Sequence, residues 1–141
     1  MSEMQPLEGL KVVDFSQGIA GPYSGLMLAQ SGATVIKVEP LEGDWCRTLG
    51  QMYGDLSSHA VACNLGKKSI ALDLKSEAGL EIAQKLVEEA DVIIESFRPG
   101  VMAKFGLDYP SVVTRNRNVI YLSVSGFGQQ GLYSTLPTTD T

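Results

Sequence analysis

The chain has 141 residues with a formal net charge of −5, and 44% of its residues are hydrophobic. This length and apolar content predict one globular domain, because they suffice to build a single buried core. The acidic balance disfavours nucleic acid as a partner, and no apolar run approaches the roughly 20 residues of a membrane span, so neither nucleic-acid nor membrane binding is expected.

The first 39 residues predict a βαβ unit. Residues 9–15 are an apolar run bounded by a glycine and a polar turn, which is typical of a buried strand. A glycine-containing turn over 16–21 follows, and a helix is expected with Pro22 at its first position. Residues 33–39 read as a second strand. A right-handed parallel crossover would join the two strands.

The middle of the chain predicts a long loop and then a strand and a helix. Residues 40–66 lose periodicity and contain several Gly and Ser residues, so we expect a long surface loop, which usually has a function. Residues 69–74 return to strand alternation. Ser76 begins a helix in which Leu80 and Ala83 share an apolar face.

The last third predicts two more strands. Residues 91–94 form one and lead into the turn 95–100, with the letters ESFRPG, and residues 118–124 form the other. Short helical segments are expected between them, the first closed by Gly106. Strands alternating with helices at this density indicate an α/β fold with a mostly parallel sheet and helices on both faces. Ligands of such folds bind beyond the carboxyl ends of the strands.

Several residues at these strand ends leave alternatives open. The first turn lacks the GxGxxG fingerprint of dinucleotide sites, although Glu39 stands where a ribose-binding carboxylate would be expected. Gly18 and Gly21 suit either a tight turn or contact with a ligand. Asp14 and Asp73 lie in predicted strands, where a buried carboxylate is either catalytic or hydrogen-bonded to a neighbouring turn.

The cysteines, the histidine and the N-terminus give no sign of a metal or of secretion. Cys46 and Cys63 lack CxxC spacing, and the single histidine, His59, has no partner at metal-ligand spacing. No metal site is therefore predicted, and Cys46 and His59 are interpreted as an ordinary thiol and a surface imidazole. No basic segment followed by an apolar core opens the sequence, so a cytoplasmic location is expected.

Phe97 stands at the carboxyl end of a predicted strand, next to Arg98 and ahead of Lys104. An aromatic ring in this place can stack on a planar base while nearby cations bind phosphate. The alternative is a loop anchor that packs on a helix. A phosphorylated small molecule is one ligand that these residue types would suit.

Three segments in chain order carry a resemblance to a known family. They read PLEGLKVVDFSQGIAGPYSGLMLAQSGATVIKVEPLEGDWCR, NLGKKSIALDLKSEAGLEIAQKLVEEADVIIESFRPGVMAKFGLDY and NVIYLSVSGFGQQG. Together they resemble the N-terminal part of the class III CoA-transferases, the CaiB/BaiF family that includes formyl-CoA transferase and carnitine CoA-transferase. The resemblance implies that residues 1–141 are the CoA-binding part of a Rossmann-like large domain and are incomplete relative to it.

The resemblance also implies a reaction and a set of ligand contacts. The expected activity is transfer of CoA from an acyl-CoA to a carboxylic acid, by subunits that form interlocked homodimers. CoA is the expected ligand, without a metal, and the turn 95–100 would hold its nucleotide end. The implied CoA-binding residues are Gln17, Gly18, Ile19, Ala20, Leu72, Lys75, Ser96, Phe97, Arg98, Val101 and Lys104.

Two departures from the family limit what this chain is expected to do. The aspartate that forms the acyl-aspartyl intermediate in family transferases is expected beyond the last residue, so the 141-residue chain alone should be nearly inactive. Racemase relatives have a histidine before an aspartate that matches Asp140, and Thr139 stands there instead, which argues against racemase chemistry. A non-catalytic CoA- or nucleotide-binding fragment and an NAD-binding α/β domain are the alternatives.

Overall fold

The computed structural model describes residues 5–138, so Thr139 and Asp140 lie outside the described residues. No helix in this described range is long and apolar enough to cross a membrane. Two short 3₁₀ helices cover Trp45–Thr48 and Met102–Phe105. The strands and α-helices are β1 Lys11–Asp14, α1 Ala20–Gln30, β2 Thr34–Glu39, β3 Met52–Tyr53, β4 Leu56–Ser57, α2 Ser58–Asn64, β5 Lys68–Ala71, α3 Glu77–Glu88, β6 Val92–Glu95, α4 Tyr109–Val113 and β7 Ile120–Ser123.

Five of the strands form one parallel sheet in the order β5-β2-β1-β6-β7. Strand β1 is central, with Val12 opposite Val35 of β2 on one side and opposite Val92 of β6 on the other. In chain order, β2 and β5 extend the sheet from β1 toward one edge, and β6 and β7 then extend it from β1 toward the opposite edge. In open α/β sheets, such a reversal opens a crevice at the carboxyl ends of the two strands that flank it.

Alternate side chains of the strands pack against different helices on the two faces of the sheet. On one face, Val13 and Ile93 belong to a buried cluster with Val87 of α3. On the other face, Val12 packs in a cluster that includes Leu28 of α1. The prediction of an α/β fold with a parallel sheet and helices on both faces is confirmed.

Two of the three helix ends predicted from individual residues, at Ser76 and Gly106, are found in the structure. The Ser76 hydroxyl accepts a hydrogen bond from the Gly79 N–H at 3.1 Å and caps α3. Gly106 has a φ of +62° and ends the second 3₁₀ helix. Pro22, however, is the third residue of α1 rather than the first. Proline is tolerated there because N–H groups in the first turn have no acceptor within the helix.

The segment 40–66, predicted as a long irregular loop, contains a 3₁₀ helix, the β3-β4 hairpin and α2. Side-chain-to-backbone hydrogen bonds fix these short elements. The Asp44 carboxylate accepts from the Cys46 N–H at 3.0 Å, and the Ser57 hydroxyl donates to the Cys46 carbonyl at 2.8 Å. Elements this short have no apolar periodicity, which is why the segment was predicted as one long surface loop and its helices and hairpin were missed.

Asp73 also differs from its prediction, because β5 ends at Ala71 and Asp73 is exposed in the turn that follows. Its carboxylate accepts a hydrogen bond from the Lys75 N–H at 2.9 Å, and its carbonyl accepts from the Ser76 N–H at 3.1 Å. These bonds bend the chain toward α3, although Leu72 still packs in the core. Asp73 is therefore a turn residue and not a buried carboxylate.

Candidate functional site

A cavity of about 730 Å³ lies beyond the carboxyl ends of β1, β6 and β7. Residues 17 and 19–21 line it after β1, residues 96–99 after β6 and residues 124–127 after β7, together with Trp45, residue 134 and residues 136–138. Its position at the reversal of strand order is where ligands of open α/β sheets bind, and its volume is ordinary for a small-molecule site. A smaller cavity of about 360 Å³ lies between α3 and the sheet and contains none of the predicted site residues.

The structure brings together six of the eleven predicted CoA-binding residues and leaves five outside the cavity lining. The six that line the cavity are Gln17, Ile19, Ala20, Ser96, Phe97 and Arg98. Of the other five, Leu72 and Val101 are buried or half-buried, and Lys75 and Lys104 are exposed. The fifth, Gly18, is buried between two lining residues, and its N–H points away from the cavity to a carboxylate.

Two hydrogen bonds join the turn after β1 to the turn after β6. The Ser96 hydroxyl accepts from the Gln17 N–H at 2.9 Å and is 3.3 Å from the Gln17 carbonyl, to which it donates. The carboxylate of Glu95, itself buried, accepts from the Phe97 N–H at 2.9 Å. These bonds set the backbone of both turns. Phe97 and the start of α1 line one cavity, and the half-buried Phe97 side chain also packs against the core, as the alternative of a loop anchor predicts.

The N-terminus of α1 opens onto this cavity. Its cap residue, Ile19, has no side-chain oxygen to accept from the first backbone N–H groups, and the first helical residue, Ala20, lines the cavity. Unpaired N–H groups and the helix dipole favour a negatively charged or strongly polar ligand group at this point. The turn after β6 adds a formal positive charge, because Arg98 also lines the cavity.

A buried ion pair between Lys37 and Asp44 holds the turn after β1. The Lys37 ammonium lies 2.8 Å from the Asp44 carboxylate, and the two side chains are 3% and 0% exposed. Lys37 also donates to the Ser16 carbonyl at 2.7 Å, and Asp44 accepts from the Gly18 N–H at 2.9 Å. The pair therefore fixes the turn at Ser16 and at Gly18. Because Asp44 follows β2, it also joins the segment after β2 to this turn.

A second buried ion pair joins β1 to the start of β5. The Lys67 ammonium donates to the Asp14 carboxylate at 2.8 Å, to the Pro22 carbonyl at 2.6 Å and to the Asn64 side chain at 2.9 Å. Burial lowers the pKa of Lys67, although the Asp14 carboxylate opposes this shift. The other Asp14 oxygen accepts from the N–H and the hydroxyl of Ser16. The geometry favours the reading of Asp14 as a hydrogen-bonded carboxylate over the catalytic one.

The comparisons with known proteins agree with this architecture. A family model described as CoA-transferase family III matches residues 7–141. The chain belongs to CoA-transferase family III. The resemblance recognised in the sequence is confirmed at the level of the family.

Relatives of this family III chain cover almost all of it. It is 44% identical over 137 residues to succinate–glutarate CoA-transferase of Agrobacterium fabrum, covering 92% of this chain and 34% of the relative. It is 42% identical over 137 residues to acetyl-CoA:oxalate CoA-transferase of Acetobacter aceti, covering 96% and 35%. A crystal structure of a CaiB/BaiF family protein from Brucella suis superposes with a TM-score of 0.92 at 44% identity, covering 96% and 37%. The chain thus spans about a third of the length of these relatives.

Glu39 of this family III chain is not arranged as a ribose-binding carboxylate. It is buried, and it accepts from Arg47 through both oxygens at 2.6 Å, from the Ser69 hydroxyl at 2.6 Å and from the Asp44 N–H at 2.9 Å. With four hydrogen bonds already made, the carboxylate has no capacity left for a ribose. The dinucleotide alternative therefore loses the one residue that supported it.

Glu39 should make stability depend on pH in the acid range. Burial alone would raise its pKa, but the hydrogen bonds from Arg47, Ser69 and Asp44 outweigh it and lower the pKa from 4.5 to about 2. A lowered carboxyl pKa stabilises the folded state above the unfolded pKa, and the contribution is lost as pH falls from about 4.5 toward about 2. When the free energy of unfolding is measured by urea titration at several pH values in this range, it should decrease less with falling pH in Glu39→Gln than in the parent chain.

The exposed Glu42→Gln variant is the matched control, since Glu42 lies in the same segment, and it should keep the parent's full dependence on pH. Equal acid sensitivity in Glu39→Gln and the parent would contradict the assigned role of Glu39.

The histidine and the two cysteines are at least half-buried. His59 is half-buried rather than fully on the surface, and its Nδ1 lies 3.4 Å from the Ser58 hydroxyl. Burial raises the pKa of the Cys46 thiol to about 11, and burial also raises that of Cys63. Among residues 5–138, no three His, Cys, Asp or Glu side chains are grouped as a metal site would require.

Sequence reasoning missed several residues that line the cavity. Trp45 belongs to the segment predicted as a loop, and Phe127 follows the last strand. Both side chains are about half exposed, at 54% and 49%. The signal that would have found Phe127 is its place after a strand carboxyl end. Trp45 carries no comparable signal, because its position depends on contacts with a distant turn.

Proposed function

We propose that this chain is the CoA-binding part of an acyl-CoA:carboxylate CoA-transferase and that the cavity beyond β1 and β6 holds CoA. The observation that carries the proposal is the convergence of two separate turns, led by Gln17 and Phe97, on one cavity in a family III chain. The two relatives described above are named succinate–glutarate CoA-transferase and acetyl-CoA:oxalate CoA-transferase. Because the chain covers about a third of their length, the activity of the whole protein is part of the proposal.

The cavity offers what the chemical groups of CoA require. CoA has a planar adenine, several phosphates and a long, thin, uncharged arm. The ring of Phe97 can stack on adenine, while Arg98 and the free N–H groups at the start of α1 suit phosphate oxygens. The net charge of −5 is no obstacle, because charge in the cavity wall matters more than the total.

The contacts proposed for the other predicted residues rest on the resemblance alone. Leu72, Lys75, Val101 and Lys104 stay proposed CoA-binding residues, and Gly18 is proposed to act through the backbone of its turn. Lys75 and Lys104 are exposed, so their ammonium groups are accessible to phosphates that protrude from the cavity.

The covalent step is proposed to lie outside residues 5–138. In the proposed reaction, an aspartate attacks the acyl-CoA thioester, the carbon–sulfur bond breaks, and an acyl-aspartyl anhydride and CoA thiolate result. No carboxylate among the described residues lines the cavity. The buried carboxylates of Asp14, Glu39 and Asp44 are all engaged in ion pairs, which makes them poor nucleophiles. We therefore propose little or no turnover by the 141-residue chain alone.

A cytoplasmic location and an interlocked homodimer are retained as proposals from the sequence. Cell fractionation tests the first. Sedimentation velocity of the purified protein tests the second.

Isothermal titration of the 141-residue chain with CoA, and with NAD as competitor ligand, tests the proposed function. CoA should bind and NAD should not. A Phe97→Ala, Arg98→Ala double variant should bind CoA at least about tenfold more weakly, because one stacking contact and one charge are lost. The matched control is Tyr53→Ala, Arg117→Ala, which removes an exposed aromatic and an exposed cation away from the cavity. Absence of CoA binding in a folded chain, or preference for NAD, would overturn the proposal.

A further inference from the structure

Trp45 is an exposed aromatic side chain on a rigid backbone at the rim of the cavity. Its side chain is 54% exposed, whereas the residues on either side, Asp44 and Cys46, are 2% and 0% exposed. It lines the cavity, and it is the single tryptophan of the chain. A large exposed indole between two buried residues leaves apolar surface open to water in the wall of the cavity, where a bound ligand would cover it.

Three interactions hold the backbone around Trp45 in place. The Asp44 carboxylate accepts from the Gly18 N–H and the Cys46 N–H, at 2.9 and 3.0 Å, and forms the buried ion pair with Lys37. Trp45 is the first residue of the 3₁₀ helix that Asp44 caps. The indole is therefore anchored at its base, which lowers the entropic cost of ordering it against a ligand.

The indole packs directly on the turn after β1. A Cβ added to Gly18 would overlap Cζ2 of Trp45 and would lie only 3.0 Å from its Cε2 and Cη2. The six-membered ring thus lies on the Gly18 backbone, beside the lining residues Gln17 and Ile19. Trp45, which belongs to the segment after β2, thereby adds apolar surface to the cavity wall.

Charge divides the cavity into two ends. Arg98, after β6, is the one cationic side chain among the described residues that line it. On the β2 side, the cations Lys37 and Arg47 are already paired with Asp44 and Glu39. Strands β2 and β6 flank β1, so they lie about 10 Å apart at a spacing of roughly 4.8 Å per strand. Within the cavity lining, phosphates therefore favour the Arg98 end, and an uncharged group favours the Trp45 end.

We infer that Trp45 contacts the uncharged pantetheine arm of CoA, through the methyl and methylene groups of that arm, and acts as a specificity-determining residue for it. The inference rests on the proposed function, because it assigns one more contact within the same cavity. It goes beyond that proposal by dividing the cavity between the nucleotide, at Phe97 and Arg98, and the arm, at Trp45.

Tryptophan fluorescence tests the inference, since all indole emission of the chain comes from Trp45. CoA should shift the emission to shorter wavelength, because the arm displaces water from the ring. Adenosine 3′,5′-bisphosphate, the nucleotide end alone, should produce no such shift. In parallel calorimetry, Trp45→Ala should weaken CoA binding about three- to tenfold and leave binding of the bisphosphate unchanged. The matched control is Tyr53→Ala, since Tyr53 is an exposed aromatic of the same segment outside the cavity lining.

The outcomes separate this inference from the proposed function. CoA binding by calorimetry without any emission shift, or with full affinity in Trp45→Ala, would overturn the inference and leave the proposed function standing. An emission shift with the bisphosphate as large as that with CoA would place Trp45 at the nucleotide end and would also overturn it. Failure of a folded chain to bind CoA at all would overturn both.

Discussion

Replacement of Asp14 by alanine is expected to destabilise the chain by about 3–5 kcal/mol, because it leaves the Lys67 ammonium buried without its counter-charge. The side chains of Lys67 and Asp14 are 1% and 0% exposed, so the ammonium that remains is shielded from bulk water. Asp14 also accepts from the N–H and the hydroxyl of Ser16, and both donors would lose their partner. A loss of this size is a large part of the stability of an ordinary domain. Urea unfolding followed by circular dichroism measures it.

Two further variants separate the ion pair from general effects of mutation. Asp55→Ala, at an exposed position, should leave the unfolding midpoint nearly unchanged. Asp14→Leu combined with Lys67→Met removes both charges together and should recover much of the stability that Asp14→Ala loses. A loss below about 1 kcal/mol in Asp14→Ala, within the range of a surface ion pair, would contradict the buried-pair assignment.

Replacement of Gly18 by alanine is expected to abolish measurable CoA binding by the chain, because the turn after β1 cannot keep its shape. Gly18 has a φ of +80°, which L-residues rarely adopt, and an added Cβ would overlap the Trp45 ring. Even where the half-exposed indole shifts aside, the positive φ strains the turn and weakens the hydrogen bond from the Gly18 N–H to the Asp44 carboxylate. Titration calorimetry with CoA measures the loss, with circular dichroism to show that the sheet is retained.

Gly54→Ala is the matched control for this variant. Gly54 also has a positive φ, of +61°, but nothing lies within 4 Å of an added Cβ, so it carries the backbone strain without the overlap. It should cost about 1 kcal/mol of stability and leave CoA binding intact. Combining Gly18→Ala with Trp45→Ala removes the overlap and should recover part of the lost stability. Unchanged CoA binding in Gly18→Ala would show that the shape of this turn does not matter to the ligand.

Much of the fold could be predicted because its signals are local. Strand β6 and helix α3 were found from apolar spacing. Ser76 was recognised at a helix end from its hydroxyl, and Gly106 from its freedom to adopt a positive φ. Periodicity failed between 40 and 66, where elements of two to seven residues are too short to show any period. It also extended β5 too far, because Leu72 is buried in a turn rather than in a strand.

The residues of the candidate site also divide into those that local sequence signals predict and those that depend on distant contacts. Phe97 and Arg98 could be predicted because residues that follow a buried strand lie at the carboxyl edge of a parallel sheet. Trp45 could not, since its place in the cavity wall depends on the hydrogen bond between Gly18 and Asp44, 26 residues apart in the chain. The role of Glu39 was left open for a related reason, because its partners Arg47 and Ser69 come from other elements.

The sequence by itself determined the alternation of strands and helices, the family and the turns that meet at one edge of the sheet. Only the tertiary structure decided that β1 lies between β2 and β6, that the segment after β2 forms part of the cavity wall, and that Asp14, Glu39 and Asp44 are held in ion pairs. The physical reason is the range of the interactions. Periodicity and capping act within a few residues, whereas the partners of a buried charge such as Asp14 and Lys67 are 53 residues apart and meet only when the sheet has formed.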